Sequence, residues 1–205
     1  MKNVAIVLFD RVEVLDFAGP FEVFSVCGAS GDKAGHFNTY TVAEKESITA
    51  RNGLKIVPHY LLDNCPKPEI FLIPGGGGYS PTLGPYGSRK EMNNPVLLDW
   101  IREQNKTAEL VLSVCTGSLI LAKAGLLDGL SATTHWKAID QLKEAAPATK
   151  VVDDQRWVVN GRIIVSAGVS AGIDMSLHVI STLLGDAVAN QTARYMQYDH
   201  WPGAS

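Results

Sequence analysis

The stretch ELVLSVCTGSLILA, residues 109–122, decides how this chain folds. Its first half is an apolar run rich in Val and Leu, as in a strand buried on both faces, and the run from Gly117 to Ala124 reads as a helix. Cys115 stands at the junction. A sharp strand-to-helix turn needs small residues such as Gly117 and holds the side chain between them clear of both elements. The helix N-terminus offers unpaired N–H groups and a partial positive charge, so the position predicts a thiolate favoured over a thiol. The competing reading is a cysteine that is only a small buried apolar residue.

The same strand-then-helix pattern recurs outward from this point. Upstream, Val4 to Phe9 is a buried strand and Leu15 to Val26 a helix with Pro20 near its first turn. Phe37 to Ala43 alternates like a strand, and Asn52-Gly53 marks a tight hairpin within Ile48 to Tyr60. Glu69 to Pro74 is a further buried strand that runs into a flexible loop, Gly75 to Gly78. Asn94 followed by Pro95 starts a helix through Gln104. Downstream, Gly125 ends the helix after Cys115, Leu130 to Trp136 is a short strand, and Lys137 to Ala145 is helical. Asn160-Gly161 marks a second hairpin within Trp157 to Val165. Ser170 and Asp186 are placed to cap helices running to Leu184 and Tyr198. Strands alternating with helices predict an α/β sandwich around a mostly parallel sheet.

At 205 residues the chain fits one domain, 1–205, with a sizeable core. A net charge of −3 gives no electrostatic reason to expect nucleic acid or an anionic membrane as partner, which leaves a small molecule. No apolar run is long enough to span a bilayer, and the N-terminal run reads as a first strand rather than a signal peptide. Cys27, Cys65 and Cys115 form no CxxC pair, which fits a reduced, cytoplasmic protein. His36, His59, His178 and His200 show no metal-ligand spacing, so no metal site is expected.

Ligands of open parallel sheets bind beyond the carboxyl ends of the strands. Cys115, the glycine loop after Ile73, His135 and, from the loop after the first strand, Asp16 all fall there. Gly76 and the N–H of Thr116 are candidate donors to a negative charge developing near the sulfur, unless the glycines form only a turn. Asp16 either caps the following helix or serves as an acid whose pKa rises beside a thiolate. His135 is either a general base or an ordinary hydrogen-bonded residue, and Asp174 reads as a structural carboxylate favoured by a helix dipole.

Five segments together resemble the DJ-1/PfpI (ThiJ/PfpI) superfamily. They are LDFAGP from Leu15, IPGG from Ile73, SVCTGS from Ser113, ATTHW from Ala132 and GVSAGID from Gly168. Within the superfamily they are most similar to the isonitrile hydratase branch. Similar segments occur in the ligand-binding half of AraC-type regulators. The resemblance implies a flavodoxin-like three-layer α/β/α sandwich with a cysteine nucleophile elbow, usually a homodimer, working without a cofactor. It further implies that Cys115 attacks a small isonitrile, Asp16 handles protons, Thr116 assists, and water releases an N-substituted formamide. Gly75, His135 and Ser170 are the remaining expected pocket residues. Thr116 stands where protease-like members carry a histidine, and Asp16 where glyoxalase-like members carry a glutamate. Two alternatives stay open: a small-molecule or redox sensor without turnover, and a glyoxalase-like activity using Cys115 with His135.

Overall fold

A computed structural model describes residues 1–28, 35–82 and 84–199. The chain opens with β1 (Lys2–Leu8), α1 (Val14–Val26) and β2 (Phe37–Ala43). A hairpin of β3 (Ile48–Thr49) and β4 (Lys55–Ile56) turns through Asn52 and Gly53, both at positive φ (60° and 86°), as the Asn-Gly pair predicts. Next come β5 (Tyr60–Leu61), β6 (Ile70–Ile73), a second hairpin of β7 (Gly77–Ser80) and β8 (Gly84–Gly87), and the single turn α2 (Ser88–Glu91). The central part is α3 (Pro95–Asn105), β9 (Leu110–Val114) and α4 (Gly117–Lys123). The rest is β10 (Ser131–Ala132), α5 (Ile139–Ala145), β11 (Lys150–Val151), β12 (Trp157–Asn160), β13 (Ile163–Ser166), α6 (Ala171–Leu184) and α7 (Asp186–Tyr195).

Seven strands form the main sheet in the order β12-β13-β9-β6-β1-β2-β5, all parallel except the edge strand β12. Helices α1, α6 and α7 pack against one another on one side, while α2, α3 and α5 gather around α4. Covered on both faces, β6 and β9 are apolar almost throughout, and Ile70 to Ile73 are wholly buried. The half-covered edge strand alternates instead, with Val158 buried and Val159 exposed. This is the α/β sandwich that the alternation of strands and helices predicts, in the flavodoxin-like form that the family resemblance implies.

Element ends follow their local chemistry. The Asn94 side chain accepts from the Val96 N–H at 3.1 Å and starts α3 with Pro95 at its first position. Gly125, at φ 81°, ends α4: its N–H bonds the Ala122 carbonyl and that of Leu126 bonds the Leu121 carbonyl, a Schellman motif.

Several expectations are corrected. The Gly75–Gly78 run is no flexible loop, because Gly77 and Gly78 pair with Gly87 and Tyr86 in a hairpin. The strand expected over Leu130–Trp136 shrinks to Ser131–Ala132, since its partner β11 is only two residues long. Asn160 pairs with Ile163, so the turn residues are Gly161 and Arg162, and the Asn160 amide bonds both the N–H and the carbonyl of Ser131. Ser170 and Asp186 do not cap through their side chains, and the last helix ends at Tyr195. Pro20 sits well inside α1 rather than in its first turn, and lacks the N–H that would bond the Asp16 carbonyl. His200 lies outside the described residues.

Candidate active site

β9 and β6 run side by side, with Ser113 opposite Ile73, so the loops leaving their carboxyl ends meet. Cys115 makes the turn from β9 into α4 at φ 56°, a left-handed conformation that costs a non-glycine residue roughly 1–2 kcal/mol. The surroundings hold it there. Its N–H is shared between the carbonyls of Ser166 and Ala167, at 3.2 and 3.1 Å. Its carbonyl accepts from the hydroxyls of Thr134 (2.9 Å) and Ser118 (3.1 Å). The helix can start so close to β6 only because residue 117 is glycine: a Cβ there would collide with the Ile73 carbonyl.

The loop after β1 is laced to the loop after β6. Val12 bridges Gly76, and the Glu13 N–H donates to the Gly75 carbonyl at 2.9 Å. This lacing brings Asp16, in the first turn of α1, to the sulfur. Asp16 is wholly buried, accepts the Gly75 N–H on Oδ2 at 3.0 Å, and interacts side chain to side chain with Cys115. Gly75 is required by the convergence, since a Cβ on it would lie 2.5 Å from the Thr116 nitrogen and 3.0 Å from Asp16 Oδ2.

Burial, with the charge of Glu13 adding to it, pushes the Asp16 carboxyl up to about 7, against the lowering pull of the Gly75 N–H. This matches the direction expected from sequence. Cys115 goes the other way from expectation: burial and the neighbouring Asp16 charge push its thiol up to about 12. The N–H groups of Thr116 and Val169 pull it down, but only partly. A helix N-terminus does favour a thiolate, yet α4 has seven residues, the sulfur is 5% exposed, and a carboxylate stands beside it. Between about pH 7 and about pH 12 the pair therefore holds a single proton, since two adjacent buried negative charges are costly.

The other expected residues fall as follows. Thr116 is buried, with its N–H toward the sulfur and its Oγ1 accepting from the Gly76 N–H at 3.0 Å. Gly76 is thus spent on Thr116 and not offered to the sulfur. The second N–H at the sulfur belongs to Val169 instead, a β-branched residue at φ 52° just before α6. His135 lies against Gly168, its Nδ1 accepting the Lys137 N–H at 3.2 Å, and burial lowers its pKa. Ser170 is exposed, 3.4 Å from an Arg156 nitrogen. Ser88, which sequence reasoning missed, is buried with its Oγ 2.7 Å from both Thr116 Oγ1 and the Gly76 carbonyl. No sequence signal marks Val169, because its strain arises only where β13 and α6 fix both ends of the loop. Among the described residues no three His, Cys, Asp or Glu side chains cluster as a metal would need, and no helix is long and apolar enough to cross a membrane.

The chain is 33% identical to isonitrile hydratase of Pseudomonas putida over 96% of its own length and 78% of that protein's. It is 30% identical to the HTH-type transcriptional regulator CdhR of Pseudomonas aeruginosa over 74% of its length, spanning only 42% of the regulator. A ThiJ/PfpI family protein from Pseudomonas syringae superposes with a TM-score of 0.83 at 28% identity, covering 98% of this chain and 76% of that one. The DJ-1/PfpI family profile matches residues 2–182, and the chain belongs to that family.

Proposed function

We propose that the protein is an isonitrile hydratase-like enzyme, a cofactor-independent lyase that adds water to a small isonitrile. The observation that carries this reading is a buried carboxyl, Asp16, set against the buried thiol of Cys115, with Thr116 rather than a histidine next in the chain. As the sulfur bonds the terminal isonitrile carbon, Asp16 takes the thiol proton and returns it to the adduct, leaving a neutral thioimidate. Water adds to the same carbon with Asp16 as base, the C–S bond breaks, and the thiol recovers its proton as the N-substituted formamide leaves. The N–H groups of Thr116 and Val169 steady the sulfur while it carries charge, and Thr116, braced by Ser88, keeps the turn in place. The reading includes a single domain acting as a cytoplasmic homodimer, and light scattering tests the dimer.

The test is formamide formation from cyclohexyl isonitrile by the whole chain, beside Cys115→Ala and Asp16→Asn. Formamide from the wild type alone is the expected result, and no turnover at any enzyme concentration rejects it. A second reading, a sensor that binds or is oxidised at Cys115, draws support from the likeness to a regulator. Peroxide-dependent modification of Cys115 in a protein inert toward isonitriles would favour it. The glyoxalase-like alternative has less support, because the His135 Nδ1 is already engaged by Lys137.

A further inference from the structure

Of the seven arginines, six are exposed, and three of those pair with carboxylates: Arg51 with Glu13, Arg102 with Asp99, Arg156 with Asp174. Arg89 alone is partly buried, and like Arg11, Arg162 and Arg194 it has no carboxylate in reach among the described residues. The one hydrogen bond of its side chain among the described residues runs from Nε to Gln141 Oε1, a neutral acceptor on α5, at 3.0 Å. The Nη1/Nη2 fork has no partner among the described residues, and a guanidinium cannot escape burial by losing its proton.

Its place is set by the active site. Arg89 follows Ser88, the residue anchored to Thr116 Oγ1, and its charge acts on Cys115, Tyr86 and His135. Lys137 and Arg51 also act on His135, opposed by Glu13, which pairs with Arg51. A desolvated charge without a counter-ion is costly unless a ligand supplies one, and a guanidinium fork matches a carboxylate bidentately.

We propose that Arg89 grips a carboxylate on the substrate itself, so that the electrophile attacked at Cys115 is an isocyano acid rather than a neutral alkyl isonitrile. The isocyano part rests on the hydratase reading; the carboxylate part does not. The test therefore begins with alkylation of Cys115 by iodoacetate and by its neutral counterpart iodoacetamide, followed by mass spectrometry of the Cys115 peptide. The iodoacetate-to-iodoacetamide rate ratio is expected about tenfold above that of free glutathione, to fall to the glutathione value in Arg89→Gln, and to be partly kept in Arg89→Lys. Propionate, but not propionamide, slows the iodoacetate reaction of the wild type, a readout that needs no variant. A wild-type ratio equal to that of glutathione overturns the proposal, as does a ratio lost in Arg51→Gln but kept in Arg89→Gln. Turnover is then compared for isocyanoacetate and its methyl ester, with kcat/KM about tenfold higher for the acid. A raised alkylation ratio without any formamide sinks only the hydratase reading, whereas turnover with no preference for acid over ester sinks the carboxylate site.

Discussion

Asp16 and Asp174 are both fully buried, and each lies in the first turn of a helix, α1 and α6, that packs against the other. Their neighbours differ. Asp174 is held by Arg156, whose Nε donates to Oδ2 at 2.6 Å, and by the Tyr198 hydroxyl, which donates to Oδ1 at 3.0 Å. Among the described residues Asp16 has no cation in contact: it has one backbone N–H on Oδ2, a thiol beside it, and an Oδ1 without a hydrogen-bond partner. A buried carboxylate that is fully paired ties elements together, here β12, α6 and the residues after α7. One left short of partners must hold or pass on a proton, and that is what makes it useful beside a sulfur.

The largest test of this contrast is turnover. Asp16→Asn is expected to lower formamide formation by about 10²–10⁴-fold, the usual size of a lost proton-transfer group. The same change removes the negative charge beside Cys115, so iodoacetamide should label Cys115 faster at pH 8 than in the wild type. Slower labelling with retained turnover would break the contrast outright.

Stability should carry the same signature. The Asp16 carboxyl titrates near 7 in the folded chain against 3.8 for the free group, so the fold binds this proton more tightly than the unfolded chain does. Its contribution is fully present below pH 3.8 and is lost as pH rises through about 7. Asp16→Asn should therefore be more stable than wild type at pH 8 in urea unfolding, by up to about 4 kcal/mol, with the gap closing toward pH 4. Asp174→Asn should instead destabilise the fold by breaking its bonds to Arg156 and Tyr198. It costs about 2 kcal/mol, less than a wholly buried pair because the Arg156 side chain is 48% exposed, and spares the turnover of the folded fraction.

Much of this arrangement was legible in the sequence, for reasons that are local. Apolar runs at Ile70–Ile73 and Val111–Val114 encode buried strands, and Asn94-Pro95 and Gly125 encode helix ends through their own chemistry. The Cys115 turn and the raised Asp16 carboxyl followed from the same kind of reading. What escaped depends on contacts far apart in the chain. The thiol is raised by burial and by a carboxylate that α1 brings from about a hundred residues away, and a helix-dipole argument applied to residues 115–122 contains neither. The run of four glycines suggested flexibility, whereas their close approaches to Thr116, Glu13 and Tyr86 show that they are packed. Nothing local in the sequence sets Arg89 apart from the other arginines, since its place depends on α2 being pinned through Ser88 to Thr116.

The smallest expected effect separates titration from ordinary loss of structure. Asn94 caps α3 through Val96, and its amide also donates to Glu44 and Glu91, each at 2.8 Å. Asn94→Ala should cost about 1 kcal/mol, typical of a lost cap, with no effect on the Asp16–Cys115 pair. The cap joins two uncharged groups, the Asn94 amide and the Val96 N–H, so the loss should stay flat between about pH 6 and pH 9. If the Asn94→Ala loss instead changed with pH over that range as Asp16→Asn does, the pH-dependent part of the stability could not be assigned to Asp16. A flat loss leaves Asp16 as the group that titrates there, and makes the slope of stability against pH a direct reading of its pKa.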